Sequence, residues 1–207
     1  MRIPKHIGII PDGNRRWAVD KGMGKEAGYE NGISPGMVLY HLCRKLGIKE
    51  MTFYGFTVDN TKRPAVQRDA FSKACVKAVE ELSKEDAELL VLGKTTSAMF
   101  PKELKPYTSR HQFGSGGIKI NFLVNYSWEW DLGLHDGAIG PALKTADVSR
   151  IDLVIRWGGR RRLSGFLPVQ SVYSDMYVID DYWPDFTPQH VYDAIEWYSR
   201  QDVTLGG

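Results

Sequence analysis

The sequence predicts an α/β fold in which a central, mostly parallel sheet is flanked by helices. Short apolar runs bounded by turn residues alternate along the chain with segments of helical period, a pattern typical of parallel strands joined by helices. The chain has 207 residues, of which 43% are hydrophobic, so it is long enough for one sizeable core. No repeat, low-complexity tract or linker divides the sequence, and we expect a single domain over residues 1–207.

Six segments have the composition of strands. Their apolar residues come in short runs or alternate with polar residues, and turn-forming residues bound them. The first segment ends immediately before Pro11, Asp12 and Gly13, which together mark a turn. The predicted strands cover residues 7–10, 51–56, 89–92, 118–124, 151–155 and 177–179.

Two helices are indicated by the residues at their ends. We expect Ser34 to cap a helix that has Pro35 in its first position and Gly47 beyond its end. Thr187 and Pro188 have the same cap-and-proline order and start a helix near the end of the chain.

Pro64 opens another helix, which has an apolar stripe facing either the core or an apolar channel. The stripe consists of Val66, Ala70, Ala74, Ala78 and Leu82, with Phe71, Cys75 and Val79 beside them. Residues 132–149 have little periodic signal and contain several glycines, so we expect a mobile loop there.

The composition limits the possible classes of function. Lysine and arginine number 27 against 25 aspartate and glutamate, so the net charge of +2 gives no general attraction to nucleic acid or anionic lipid. The sequence has neither a signal-peptide core nor an apolar run long enough to span a bilayer, and we expect a cytoplasmic protein. Cys43 and Cys75 lack metal-binding or redox spacing, so we expect no disulfide or zinc site.

The turn after the first strand combines a carboxylate with two arginines. Asp12 lies beyond the carboxyl end of a predicted parallel strand, where ligands bind in such sheets. Gly13 allows an unusual backbone conformation and Asn14 is expected to cap the next helix, while Arg15 or Arg16 would clamp a phosphate. A carboxylate repels a bare phosphate unless a divalent cation lies between them, which favours Mg²⁺ at Asp12. The alternative is a helix cap with a surface ion pair.

A second glycine-rich turn follows the strand at residues 151–155 and also suits an anion. Its donors are Arg156, Arg160, Arg161, Arg162 and Ser164. The alternatives are a solvated basic loop and a nucleic-acid surface on which Trp157 stacks against a base. The low net charge favours diphosphate, and we expect no nucleic-acid partner. Further along, Asp175 supplies a second carboxylate that would complete the metal site with Asp12.

Three blocks of the sequence resemble the cis-prenyltransferases, the family typified by undecaprenyl diphosphate synthase. The blocks are HIGIIPDGNRRWA, YGFTVDNTKRP, and DLVIRWGGRRRLSGFLPVQSVYSDMY followed by WPDF. They extend from His6 to about Phe186 in the family's order, which is more specific than any one motif. The resemblance implies a homodimer, a hydrophobic tunnel beside the sheet, and a magnesium-dependent condensation of two diphosphates.

The same resemblance implies the substrates. The allylic partner would be dimethylallyl, geranyl, farnesyl or a longer diphosphate, and the other partner would be isopentenyl diphosphate. Since the chain is compact, we expect a short- or medium-chain cis-prenyl diphosphate as the product. Contact with a membrane would be at most peripheral, for release of the product.

By position, the resemblance also assigns roles to single residues. Asp12 corresponds to the family's magnesium-binding aspartate, and Asp175 takes the place of a glutamate that reaches the metal. The positions matched to catalytic residues are Asp12, Asn14 and Asn60. Those matched to substrate-binding residues are Gly13, Arg15, Arg16, Trp17, Lys25, Tyr29, Phe56, Thr57, Asp59, Arg63, Arg156, Arg162 and Ser164.

Several positions depart from the family's pattern, and they gather where the acceptor should bind. Tyr29 stands where histidine is expected, Lys25 where arginine is usual, and Arg160 where the family has glutamate. The last change reverses a charge near the acceptor diphosphate, so binding there should differ. Two alternatives therefore stay open: irregular, lavandulyl-type coupling with dimethylallyl diphosphate as the acceptor, and a non-catalytic partner subunit of a heteromeric prenyltransferase.

Overall fold

A single sheet forms the centre of the fold in the computed structural model, which describes residues 1–134 and 138–202. The described strands are β1 (His6–Ile10), β2 (Glu50–Tyr54), β3 (Ala87–Leu92), β4 (His111–Phe113), β5 (Ile118–Leu123), β6 (Leu153–Arg156) and β7 (Asp175–Val178). They pair in the order β4-β3-β5-β2-β1-β6-β7, and every described pairing is parallel except that of β3 with β4. This sheet confirms the predicted α/β class.

Six α-helices lie in the described part of the chain. They are α1 (Asn14–Asp20), α2 (Ala27–Glu30), α3 (Ile33–Lys45), α4 (Ala65–Leu82), α5 (Trp128–Asp131) and α6 (Pro188–Ser199). Short 3₁₀ helices cover Val58–Lys62, Lys102–Tyr107 and Trp183–Asp185. Among these described residues, no helix is both long and apolar enough to cross a bilayer.

Two helix starts differ from prediction. Ser34 does not cap α3, because the helix already begins at Ile33 and the proline that follows is tolerated anywhere in the first turn. Asn14 is the first residue of α1, and Gly13 takes the cap position with a left-handed φ of 101°. The start of α6 is confirmed: Thr187 is its cap residue and proline follows directly.

The predicted strands are present, with ends that differ by up to two residues. One strand was missed: β4 has three residues, His-Gln-Phe, and is too short and too polar to give a strand pattern. The helix opened by Pro64 is confirmed as α4. Its stripe starts one turn later than predicted, because the Val66 side chain is exposed to solvent.

The two faces of the sheet are covered differently. Side chains alternate across each strand, so Ile9 packs in a cluster on one face and Ile10 in a cluster on the other. Helices α3, α4 and α6 cover the first face. The second face is covered mainly by segments without long helices, which contribute Val148, Phe166 and Leu167.

The predicted mobile loop at residues 132–149 is anchored in its second half. Thr145 and Val148 are buried in the core of the second face. The Thr145 N–H and hydroxyl donate to the buried carboxylate of Asp131 at 2.9 and 2.8 Å. Residues 135–137 of this segment lie outside the described part of the chain.

Gly8, in the middle of β1, sets the packing of the second face. A Cβ at this position would lie 2.5 Å from Cε1 of Phe166, closer than real contacts allow. We therefore expect Gly8→Ala to lower the free energy of unfolding by about 1–3 kcal/mol, the usual cost of overpacking. Urea unfolding measures this change, and a Gly8→Ala protein as stable as the wild type would contradict the packing described.

Gly36→Ala in α3 is the matched control. Its Cβ would meet Phe53 at an ordinary 3.9 Å, so no neighbour has to move. Alanine is also favoured over glycine inside a helix by about 1 kcal/mol, and this variant should be as stable as the wild type or slightly more so.

Candidate active site

The loops after the carboxyl ends of β1, β2 and β6 enclose a polar cavity of about 840 Å³. Parallel strands end at one edge of the sheet, which brings segments that are distant in sequence together there. The wall contains more basic than acidic side chains, so the cavity is positively charged. The basic residues are Arg15, Arg16, Lys25, Arg63, Arg156, Arg160 and Arg162, and the acidic residues are Asp12, Asp20 and Asp59.

Asp12 is a carboxylate of this cavity that neighbouring groups hold in place, and 34% of its side chain is exposed. Its Oδ2 accepts a hydrogen bond from Arg156 Nη2 at 2.8 Å, and its Oδ1 accepts the Gly13 N–H at 2.6 Å. Arg16 Nη2 lies 3.6 Å from Oδ1. Burial alone would raise the pKa of Asp12, but these hydrogen bonds and charges outweigh it and lower the pKa below the ordinary value.

Arg156 is the buried centre of the second turn. It ends β6, and its side chain is only 4% exposed. Besides its bond to Asp12, the guanidinium donates to Ser164 Oγ at 3.0 Å and to the carbonyl oxygen of Arg162. These bonds fold the turn back over the guanidinium, so that Arg160 and Arg162 reach the cavity wall.

Arg16 joins helix α1 to the same turn. Its Nη2 donates to the carbonyl oxygen of Gly158 at 2.9 Å, and its guanidinium lies 5.0 Å from the centre of the Tyr182 ring. Gly158 has a left-handed φ of 82°, and a Cβ there would lie 2.6 Å from Arg16 Nη2. The close approach of the two turns therefore requires a glycine at this position.

The loop after β2 forms a third wall. Thr57 caps the 3₁₀ helix Val58–Lys62 by accepting the Asn60 N–H, and the Asn60 side chain accepts the Thr57 N–H in return. Arg63 Nη1 donates to the Tyr29 hydroxyl at 3.0 Å. Burial raises the pKa of Tyr29, so its phenol stays protonated.

A narrow apolar cavity of about 80 Å³ adjoins the polar one, between the sheet and helices α3 and α4. Tyr29 and Phe71 line both cavities, and their rings stack with centroids 4.5 Å apart and planes within 3°. The deeper wall of this cavity is formed by Met37, Phe53, Ala74, Cys75, Ala78, Leu82 and Phe122. This is the place of the predicted hydrophobic tunnel.

A sequence profile of the family described as putative undecaprenyl diphosphate synthase matches residues 10–206. The chain belongs to the cis-prenyltransferase family. This membership confirms the prediction of a prenyltransferase and of the family itself.

Relatives with the same coverage support the assignment. The chain is 30% identical to the undecaprenyl-diphosphate synthase of Pasteurella multocida, named as specific for (2E,6E)-farnesyl diphosphate, covering 99% of this chain and 95% of the relative. An isoprenyl transferase of Geobacillus kaustophilus is 29% identical over 99% and 89% of the two chains. Lavandulyl diphosphate synthase from Lavandula x intermedia, solved with dimethylallyl diphosphate, has the same fold, with a TM-score of 0.83, 22% identity and 99% of each chain covered.

Most residues matched to the cis-prenyltransferase site lie in the wall of the polar cavity. Trp17 and Phe56 do not: the Trp17 indole N–H donates to Asp185 Oδ1 at 2.7 Å, and Phe56 is buried against Phe71. The matched residues that the cavity does bring together are Asp12, Gly13, Asn14, Arg15, Arg16, Lys25, Tyr29, Thr57, Asp59, Asn60, Arg63, Arg156, Arg162 and Ser164.

The predicted metal-binding residues Asp175 and Asp12 do not lie together within this chain. Asp175 begins β7 beside Leu153, which in turn lies beside Ile7 near the start of β1. Asp12 follows the opposite end of β1. About five residues of strand, roughly 16 Å, therefore separate Asp12 from Asp175 along the strand direction. A residue that precedes a parallel strand lies at the opposite edge from one that follows it. Asp175 instead lies 3.9 Å from Arg2.

Tyr54 and Tyr182 are among the cavity residues that the sequence analysis missed. The Tyr54 hydroxyl donates to the carbonyl oxygen of Ser164 at 2.8 Å and so joins β2 to the second turn. Tyr54 ends β2, whereas the predicted strand continued to Phe56, so the sequence did not mark Tyr54 as the end of a strand. Tyr182 lines the cavity opposite Gly13. A Cβ at residue 13 would lie 2.6 Å from Cδ1 of Tyr182. No pattern in the sequence indicates that contact.

Asp12 fits a magnesium ion of the kind that is shared with a substrate. Among the residues that the structure describes, no three His, Cys, Asp or Glu side chains cluster as a protein-only metal site. Mg²⁺ commonly binds through one or two carboxylates together with substrate phosphates and waters. An ionised, partly exposed carboxylate in a basic cavity meets that requirement.

The lowered pKa of Asp12 predicts acid-dependent stability. The ionised carboxylate stabilises the fold above its ordinary pKa of 3.8, and this contribution is lost as the pH falls through the lower folded pKa. We expect Asp12→Asn to be less stable than the wild type at pH 7 and to approach it as the pH falls through the lowered pKa of the folded Asp12. Urea unfolding across this range measures the gap, with the exposed Asp20→Asn as control. A gap that does not change with pH would contradict the expectation.

Proposed function

We propose that the protein condenses an allylic diphosphate with isopentenyl diphosphate to form a cis-prenyl diphosphate. The observation that carries the proposal is the junction of a basic cavity with a narrow apolar one, both lined by Asn14, Tyr29 and Phe71. An allylic diphosphate has the same two parts, a charged head and an apolar tail. The names of the relatives, which are synthases of polyprenyl diphosphates, support the same reaction class.

The charge of the cavity suits cleavage of the allylic carbon–oxygen bond. As this bond breaks, negative charge grows on the leaving diphosphate and is stabilised by the arginines already in place. The alkene of the acceptor supplies the electron pair of the new carbon–carbon bond and then loses a proton. No nucleophilic side chain is required, and burial raises the pKa of Cys75 to about 12, which keeps that thiol unreactive.

The two arginine-containing segments suggest that each binds the diphosphate of a different substrate. Helix α1 presents Arg15 and Arg16 beside the entrance to the apolar cavity, where the allylic diphosphate belongs. The turn after β6 presents Arg162 and Ser164 to the acceptor diphosphate. Seven basic against three acidic side chains leave enough positive charge for both anions.

We infer that Mg²⁺ is the cofactor and that Asp12 holds it against a substrate diphosphate. The metal, when bound, would polarise the leaving diphosphate and neutralise part of its charge. Asp12 is kept ionised by its arginine neighbours, so it is ready for the ion at neutral pH. Asn14 and Asn60 complete the polar wall around it.

The size of the apolar cavity favours a short product. The cavity is narrow, with a volume of about 80 Å³, and apolar side chains line it. The stacked rings of Tyr29 and Phe71 narrow the passage. We therefore infer that few condensations occur before the growing chain is stopped by this constriction.

Irregular coupling is the second candidate function. It is favoured by Arg160, whose side chain lines the cavity at the turn assigned to the acceptor and adds a positive charge there. Such a change alters how an acceptor diphosphate is held, and dimethylallyl diphosphate would then act as both donor and acceptor.

We also infer a homodimer located in the cytoplasm, with at most peripheral membrane contact when the product is released. An exposed apolar surface before β7, formed by Val169, Val172 and Tyr173, supports self-association.

Mass spectrometry of the products tests both candidate reactions. We expect product from dimethylallyl, geranyl or farnesyl diphosphate when isopentenyl diphosphate and Mg²⁺ are present. Regular coupling requires both substrates. Product from dimethylallyl diphosphate alone would establish irregular coupling, and absence of product under every condition would favour a non-catalytic subunit.

The variant Asp12→Ala and a metal chelator are the controls for that assay. Each should reduce turnover at least about a hundredfold, because the leaving diphosphate loses the charge stabilisation that the metal adds to that of the arginines. Circular dichroism should show an intact fold. Retained turnover in Asp12→Ala would contradict the metal role.

Phe71→Ala should lengthen the product. Removing this ring opens the stack with Tyr29 and widens the entrance to the apolar cavity. We expect products longer by at least one isoprene unit, measured by mass spectrometry. Val66→Ala, on the same helix but exposed and outside both cavities, should leave the product unchanged. An unchanged product in Phe71→Ala would exclude the ring as a length determinant.

A further inference from the structure

A buried tryptophan at the second turn has no part in the chemistry described so far. Trp157 follows Arg156 directly and is completely buried. Its indole N–H donates to Nδ1 of His190 at 3.2 Å, and its ring packs edge-on against Trp183 with centroids 4.8 Å apart. A buried indole N–H needs an acceptor, and the imidazole supplies it.

His190 connects this tryptophan to helix α6. Its Nδ1 also accepts the N–H of Thr187, the cap residue of α6, at 3.3 Å. Its Nε2 lies 3.1 Å from Asp181 Oδ2, and the side chain is 14% exposed. Because Nδ1 accepts two N–H donors, the ring carries its proton on Nε2, the nitrogen that faces Asp181.

These contacts hold a stretch of backbone that is hydrogen-bonded to the turn after β6, and this turn is bonded in turn to helix α1. The carbonyl oxygen of Asp181 accepts the Gly158 N–H at 2.8 Å, and the carbonyl oxygen of Gly158 accepts from Arg16 at 2.9 Å. On the other side of Trp157, Arg156 bonds the aspartate of the first turn. Trp157 thus lies between Arg156 and Gly158, the two residues that bond the turn after β6 to the segment after β1.

We propose that His190 is a positioning residue for the diphosphate site and acts through Trp157. It lines neither cavity, so its effect is to hold the turn after β6 where Arg16 and Arg156 meet. The inference rests on the proposed function for the nature of the ligand, a diphosphate.

Calorimetric binding of inorganic diphosphate tests this role without requiring turnover. His190→Leu removes both ring nitrogens and should weaken binding about fivefold, the effect of one lost hydrogen bond. Thr187→Ala is the matched control, because it removes the cap hydroxyl of α6 but leaves the Trp157–His190 bond intact. It should lower the melting temperature and change diphosphate affinity by less than about twofold.

Two further variants separate positioning from folding. His190→Asn keeps an acceptor near the position of Nδ1 and should restore most of the affinity. Trp157→Phe keeps the buried ring, removes the donor, and should weaken binding as His190→Leu does. In turnover assays the KM for the diphosphates should rise while kcat changes little. Wild-type affinity in both His190→Leu and Trp157→Phe would overturn the proposal, as would an equal loss in Thr187→Ala. Diphosphate binding without prenyl transfer by the wild type would contradict the proposed function alone.

Discussion

The parallel pairing of β1 with β6 is the constraint on which the site depends. In this register Ile10 lies beside Arg156, so the turns after both strands start at the same level. Asp12 consequently meets the Arg156 guanidinium at 2.8 Å. A slip of one residue would turn that arginine to the other face of the sheet and leave its charge without a partner. Gly158 then allows the two backbones to approach closely, since a Cβ there would lie 3.2 Å from the carbonyl group of Asp12.

The pair formed by Asp12 and Arg156 serves the fold as well as the proposed chemistry. A guanidinium that is only 4% exposed is costly unless a carboxylate and hydrogen bonds compensate its charge. The same contact keeps the carboxylate ionised and therefore able to hold a cation. Loss of Asp12 would thus affect stability and turnover for different physical reasons, which is why the two need separate measurements.

The two cavities differ in polarity, which explains how one site would bind a molecule with a charged head and an apolar tail. The polar cavity is built from turns at the edge of the sheet, whereas the apolar one is built from the faces of β2, β5, α3 and α4. Tyr29 belongs to both, since its hydroxyl accepts from Arg63 while its ring stacks on Phe71. The constriction that limits the length of the apolar tail therefore lies close to the charged head.

The sequence by itself determined the α/β class, the order of strands and helices, and most of the residues around the polar cavity. The fold class and the element order follow from local patterns of apolar runs and turn residues, whereas many of the cavity residues were matched through the resemblance to the cis-prenyltransferases. Tertiary structure decided what depends on register and packing. It separated Asp175 from Asp12 by placing them at opposite ends of the sheet, turned Val66 to solvent, and joined Trp157 to His190. Such relations join residues far apart in the chain, and no local pattern encodes them.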